Sequence, residues 1–163
     1  QGSKLIVACG RQSIRSLARA IDTDLRLPEN WKNPKLAFPG VLVVSAESHH
    51  GDASIAELHQ TCNDFESWVV LDKYPLIVLS DDSAFTAQSI ENFLWVTFTR
   101  SNPATDVYGF GACTQHKHFG CNGSLVIDAR SKPHHAPGLI EDAEIAKRVD
   151  SRAARGGPLA KYL

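Results

Sequence analysis

Two groups of side chains in this chain have residue types and spacing that could do chemistry. The first is Cys113, His116, His118 and Cys121, a Cys-x2-His-x-His-x2-Cys run. Thiolate and imidazole are both good ligands for Zn²⁺, which takes four of them as a tetrahedron. The spacing counts against it, because four ligands so close in sequence must wrap one ion, whereas structural zinc sites draw on two separated pairs. Alternating side chains on a strand also point to opposite faces, so His116 and His118 share a face that the cysteines need not. Exposed or interfacial histidines and ordinary buried thiols are the competing reading. The second group is Ser80-Asp81-Asp82, which follows the apolar run Leu76-Ile77-Val78-Leu79. The carboxyl end of a strand is where open α/β sheets place ligands, metals and phosphoacceptors. The acidic pair therefore suggests a Mg²⁺ site or a receiver-like phosphoacceptor at Asp81 or Asp82. The simpler reading is that one Asp caps the next helix or tightens the turn, since no strand-borne Lys or further acid is placed to complete a phosphotransfer site.

Other polar groups read as structural. His49-His50 and His134-His135 suit polar loops, and Arg100 and Asp106 suit an ion pair across the Asn102-Pro103 turn. Cys9-Gly10-Arg11 is a weak anion cradle at a helix start. The glycine patterns of dinucleotide sites, phosphate loops and hydrolase elbows do not occur.

These residues need elements to hold them. Lys4 to Ala8 reads as a strand, and Ile14, Leu17, Ala18 and Ile21 have the spacing of one helical face. Asp22 to Gly40, with Pro28, Pro34 and Pro39, reads as a surface loop. Val41 to Val44 is uniformly apolar, as expected of a strand covered on both faces. Ser54 and Glu57 form a capping box for a helix burying Ile55, Leu58, Cys62 and Phe65. Leu76 to Leu79 is a third buried strand, and Ile90, Phe93, Leu94 and Phe98 form the stripe of a third helix. Three strand and helix pairs imply right-handed crossovers and a mostly parallel sheet between helical layers, an α/β three-layer sandwich. Val107 to Phe110 and Leu125 to Ile127 then supply mixed edge strands around the Cys and His run. Residues 1–3 read as a polar leader, 4–131 as the α/β domain, 132–139 as a linker and 140–163 as a helical tail that protrudes. In that tail Glu141, Asp142 and Glu144 precede Lys147, Arg148 and Arg152, which complements the helix dipole. Gly156-Gly157-Pro158 stops it. Its apolar stripe, Ile145, Val149 and Ala153, is thin and could dock on its own domain or on another subunit.

The chain has 163 residues, about one domain's worth, with 43% apolar and 21% charged residues. Seventeen Lys and Arg against eighteen Asp and Glu leave a formal charge of -1, so nothing attracts the whole to nucleic acid. No apolar stretch approaches the ~20 residues a membrane span needs. Four cysteines are too few for a disulfide framework, which leaves reduced thiols and a cytoplasmic location as the expectation. There is no methionine, even at position 1, and the chain reads as part of something longer.

Taken together, Tyr74-Pro75-Leu76-Ile77-Val78-Leu79-Ser80-Asp81-Asp82, Leu94-Trp95, Thr99 to Asp106 and Val126-Ile127-Asp128-Ala129 resemble the C-terminal part of the UbiD family of decarboxylases. The likeness covers about Val41 to Arg130. It departs where the family often continues its acids beyond the pair, since Ser83-Ala84-Phe85-Thr86 stands there. The resemblance implies a parent enzyme that decarboxylates aromatic or α,β-unsaturated acids with prenylated FMN, a divalent metal and a Glu-Arg-Glu set in its N-terminal and central domains. It implies no catalytic or flavin-binding residue here, and an assembly role in which a terminal helix reaches a neighbour to form a homo-oligomer. A small zinc-binding protein using Cys113, His116, His118 and Cys121 is the alternative.

Overall fold

The computed structural model describes residues 15–64, 68–136, 142–154 and 156–162. The strand expected at Lys4 to Ala8, Cys9 and Phe65 lie outside them. The helix expected from Ile14 to Ile21 does not form in its described part, where residues 15–21 are irregular. Tertiary partners take the backbone instead: the Ala18 N–H donates to the Lys73 carbonyl at 3.1 Å, and the Ala18 carbonyl accepts from the Gly40 N–H at 2.8 Å. Ala18 is buried there, while Leu17 beside it is 44% exposed.

The first regular element, β1 (Lys32–Phe38), falls in the segment expected to be a loop. Its prolines mislead because an edge strand and a bulge both tolerate a missing donor. The pairing with β2 (Val41–Ser45) is irregular between Lys32 and Lys35, around Pro34 and an Asn33 with φ of 51°. Gly40, at φ 76°, closes the tight turn between the two strands, and a side chain there would collide with Leu17.

Helix α1 (Asp52–Asp64) starts two residues ahead of the expected capping box. Ser54 is already inside the first turn, where its hydroxyl accepts from the His50 N–H at 2.8 Å, and Glu57 accepts from the Asn30 amide. A 3₁₀ stretch (Trp68–Lys73) leads to β3 (Leu76–Ser80), then α2 (Ser83–Thr86) and α3 (Ile90–Thr99). The chain continues as β4 (Val107–Gly109), the hairpin β5 (Ala112–Gln115) and β6 (His118–Cys121), β7 (Leu125–Asp128) and the terminal α4 (Ala143–Ala153).

The main sheet runs β1-β2-β3-β7-β4. β2, β3 and β7 are parallel, and β1 and β4 are antiparallel edges. The fold is therefore mixed α/β with a mostly parallel centre and a C-terminal helix. β7, expected at an edge, lies between β3 and β4. Its apolar Leu125-Val126-Ile127 suits a strand covered on both faces.

Alternate strand residues feed two cores. Leu42, Val44, Ile77, Leu79 and Val126 pack with Leu58 and Cys62 of α1 and with Tyr74, Tyr108 and Phe110. Val43, Val78 and Ile127 pack with Phe93 and Val96 of α3. Ile90, Leu94 and Phe98, expected to face inward, are instead 52%, 48% and 41% exposed. None of the α4 side chains is buried, and no described helix is long and apolar enough to cross a membrane.

Candidate functional site

The carboxyl ends of β3 and β7, with the loops beside them, gather most of the buried charge. Asp82 is the N-cap of α2: its Oδ1 accepts from the Ala84 and Phe85 N–H groups at 2.9 and 3.0 Å. A short acid there satisfies backbone donors that the helix cannot. Asp81 accepts from Arg100 Nη1 at 2.8 Å, and from the Ser131 N–H and hydroxyl at 3.0 and 2.8 Å. Arg100 thus pairs with Asp81, not with Asp106 as its position beside the turn suggested.

Asp106 belongs to a deeper pair. Its Oδ2 lies 3.2 Å from Lys132 Nζ and accepts from the Asn102 N–H at 2.7 Å. Lys132, expected to open a linker, is only 6% exposed, and its ammonium also donates to the Arg100 and Asp128 carbonyls at 2.9 Å each. Asp128, at 0% exposure, receives a fork from Arg130: Nε to Oδ1 at 2.9 Å and Nη2 to Oδ2 at 2.8 Å. The remaining Arg130 amine donates to the Glu47 carbonyl at 2.8 Å.

His49 completes the group. It is buried, in contrast to the polar loop position expected for it, with Nδ1 accepting from the Gly51 N–H at 3.1 Å and Nε2 lying 3.9 Å from Asp128 Oδ2.

Electrostatics follow from this packing. Burial by itself pushes the Asp128 carboxyl up, but the Arg130 fork and the Arg130 and Lys132 charges outweigh it and hold the group below its ordinary range. Burial also lowers the His49 imidazole, with Asp128 opposing. The Tyr108 phenol is pushed up to about 12, by burial first and then by Asp128 and Asp106. Its hydroxyl, with Ser80 Oγ and Thr97 Oγ1, has no hydrogen-bond partner among the described residues.

Three carboxylates, Asp81, Asp106 and Asp128, are therefore matched by Arg100, Lys132 and Arg130. Charges so paired lock loops to strand ends, and Asp82 is spent through its Oδ1 on the cap of α2. Sequence reading finds Asp81 and Asp82 but misses His49 and Lys132. One signal was available: Asp128, Arg130 and Lys132 are two apart, the period that lines one face of an extended segment.

The Cys and His run does not converge as a metal site. His116 and Lys117, at φ 50° and 66°, are the turn of the β5–β6 hairpin, which suits a type I′ turn. Ala112 pairs with Cys121 and Cys113 with Gly120, so the two cysteines occupy adjacent, oppositely facing registers. Cys121 packs over Gly109, while Cys113 is exposed. Among the described residues no three His, Cys, Asp or Glu side chains come together as a metal-holding group, which corrects the four-ligand expectation.

No family model matches the chain. It is 32% identical over 143 residues to an uncharacterized protein of Chlamydia muridarum, an overlap that covers 85% of this chain and 24% of the relative. It is 36% identical over 94 residues to a 4-hydroxybenzoate decarboxylase subunit of Chlamydia pneumoniae, an overlap of 55% of this chain and 14% of that protein. The chain is homologous to part of a decarboxylase subunit. It spans no more than about a quarter of the length of these relatives. Among solved structures, the open form of Sedimentibacter hydroxybenzoicus vanillic acid decarboxylase gives a TM-score of 0.41 at 14% identity, over 69% of this chain and 27% of that one.

Proposed function

We propose that this chain is the C-terminal assembly domain of a UbiD-like non-oxidative decarboxylase acting on aromatic or α,β-unsaturated acids. In this reading the fold is a three-layer sandwich, and the domain joins copies of a cytoplasmic parent enzyme to one another while bond cleavage takes place in its N-terminal and central parts. The observation that carries it is where apolar side chains are spent. Phe85 on α2, Ile90, Leu94, Trp95 and Phe98 on α3, and Ile145 and Val149 on α4 are between 41% and 62% exposed. Such concentration on a few helical turns marks an interaction surface. Homology to a subunit of 4-hydroxybenzoate decarboxylase supports the chemistry of the parent.

Prenylated FMN and a divalent metal, which the resemblance implies for the parent, do not fit the residues here. The strand-end carboxylates Asp81, Asp106 and Asp128 are each neutralised by a cation of this chain, and no described group of three ligands could hold a metal. The cofactor and metal would be bound by the rest of the longer protein, and no step of the reaction is assigned to this domain.

The test is to purify the chain alone and measure its mass by light scattering together with carbon dioxide release from an unsaturated aromatic acid. A dimer or larger assembly without turnover is expected. A monomer at every concentration, or unaided release of carbon dioxide, overturns the proposal.

A further inference from the structure

The loop between β2 and α1, residues 46–51, brings one titratable ring into the buried charges at the strand ends. His49 is 8% exposed, while His50 beside it and His59 on α1 are open to solvent. Nδ1 of His49 accepts from the Gly51 N–H at 3.1 Å, so this nitrogen is unprotonated and the ring proton sits on Nε2, 3.9 Å from Asp128 Oδ2. Gly51, at φ 64°, is the residue through which the start of α1 is tied. Its carbonyl accepts from the Ser54 and Ile55 N–H groups at 3.1 and 3.3 Å, and the Ser54 hydroxyl reaches back to accept from the His50 N–H at 2.8 Å. The imidazole thus takes the acceptor place that an Asn or Asp side chain takes when it bonds the backbone two residues on.

A second ring proton is poorly accommodated here. Added to Nδ1, it sets two N–H donors against each other and removes the Gly51 bond. The charges facing the ring already balance: Asp128, Arg130 and Lys132 come from β7 and the segment after it, and Asp106 from the turn ahead of β4. Tyr108 of β4 lies among the same charges with its phenol pushed up to about 12, so it stays neutral. Asp128 is already engaged, with Oδ1 accepting from the Arg130 N–H and Nε and Oδ2 from Nη2. Burial lowers the imidazole, and Arg130 and Lys132 act in the same direction against Asp128 and Asp106. A conformation in which the ring reaches water takes up the proton more readily than the closed one, and acid therefore favours it.

We propose that the β2–α1 loop is a pH-operated latch: protonation of His49 at Nδ1 expels the ring from the strand-end cluster, frees the first turn of α1 and opens the Asp128–Arg130 pair to solvent. Opening is local, because the β2, β3 and β7 ladder does not use residues 47–51. The device needs no partner and stands apart from the assembly reading.

The test is hydrogen exchange of the full chain, followed residue by residue by NMR from about pH 8 to 5 and expressed as protection over the unfolded rate, with long-range proton–nitrogen spectra of the imidazoles. At neutral pH the His49 ring should carry its proton on Nε2. As His49 titrates, the Gly51, Ser54 and Ile55 amides should lose protection severalfold together, while Val78 and Leu79 in β3 keep theirs. His49→Asn supplies the Gly51 N–H with an acceptor that cannot titrate, so it should hold the three amides closed across the range. His50→Gln should leave the wild-type response intact. Circular dichroism checks that each variant folds. The proposal is overturned by a ring proton on Nδ1 at neutral pH, by protection at the start of α1 that stays level while His49 titrates, by a loss shared equally by β3, or by a loss that persists in folded His49→Asn. If that variant does not fold, the wild-type comparison of ring titration with amide protection decides the matter by itself.

Discussion

Lys132 shows what the buried charges do for this protein. Its ammonium is the hub joining Asp106, the end of α3 and the end of β7. Lys132→Met leaves the Asp106 carboxylate buried without its cation, so a loss of about 3–5 kcal/mol is expected in urea unfolding. Replacing both residues by apolar ones should cost less than that single change. His49 gives a pH signature. Its folded imidazole lies below the ordinary value of 6.5, so as pH falls the unfolded chain takes up the proton first. His49 should therefore support full stability above about 6.5 and lose that support progressively below it. His49→Gln should flatten this part of a stability profile recorded from pH 8 to 5, and an unchanged slope would assign the effect elsewhere. Tyr108 acts at the other end. With its phenol at about 12 when folded against an ordinary 10, stability is held up to about 10 and lost as pH rises through the folded value. Tyr108→Phe should remove that alkaline arm. It should also leave neutral stability unchanged or up to about 1 kcal/mol higher, since the hydroxyl deleted is buried without a partner among the described residues.

At the level of elements, the sequence is most readable where one physical demand dominates. Val41 to Val44 and Leu76 to Leu79 had to be covered strands, and they are β2 and β3 at the centre of the sheet. The helix at Ile90 is readable as a helix, but not its orientation. It carries two apolar sides, Phe93 with Val96 and Ile90 with Leu94 and Phe98, and periodicity does not say which one the sheet takes. β1 escapes a sequence reading because Pro34 and Asn33 look like punctuation, when they mark an irregularity in an edge strand. Asn33, held at φ 51°, should tolerate glycine, whereas Asn33→Val should cost about 1 kcal/mol or more in thermal unfolding, because a β-branched residue resists that region. The Asp81 and Asp82 pair is readable as a strand end. That it would be closed by Arg100, Ser131 and the α2 backbone depends on contacts distant in sequence, which local spacing does not encode. Asp82→Ala should cost about 1 kcal/mol through the lost cap.

For the described residues, a charge-neutral interior at the strand ends is combined with a surface whose large exposed apolar residues lie mostly on helices. The paired interior ties the loops to the strand ends through buried ion pairs, and the exposed helical side chains are what the proposed connector role draws on. Homology over part of two much longer relatives agrees with a domain that works beside others. The order of strands carries one more consequence. β3 is completed at Ser80, but its partner on the far side, β7, begins only at Leu125. A nascent chain must therefore leave one flank of β3 open throughout translation of α2, α3, β4 and the β5–β6 hairpin. Until Leu125–Asp128 has been made, that edge of β3 has unpaired backbone N–H and C=O groups, and β4 has no strand to pair with, so the five-stranded sheet closes only when that last central strand arrives.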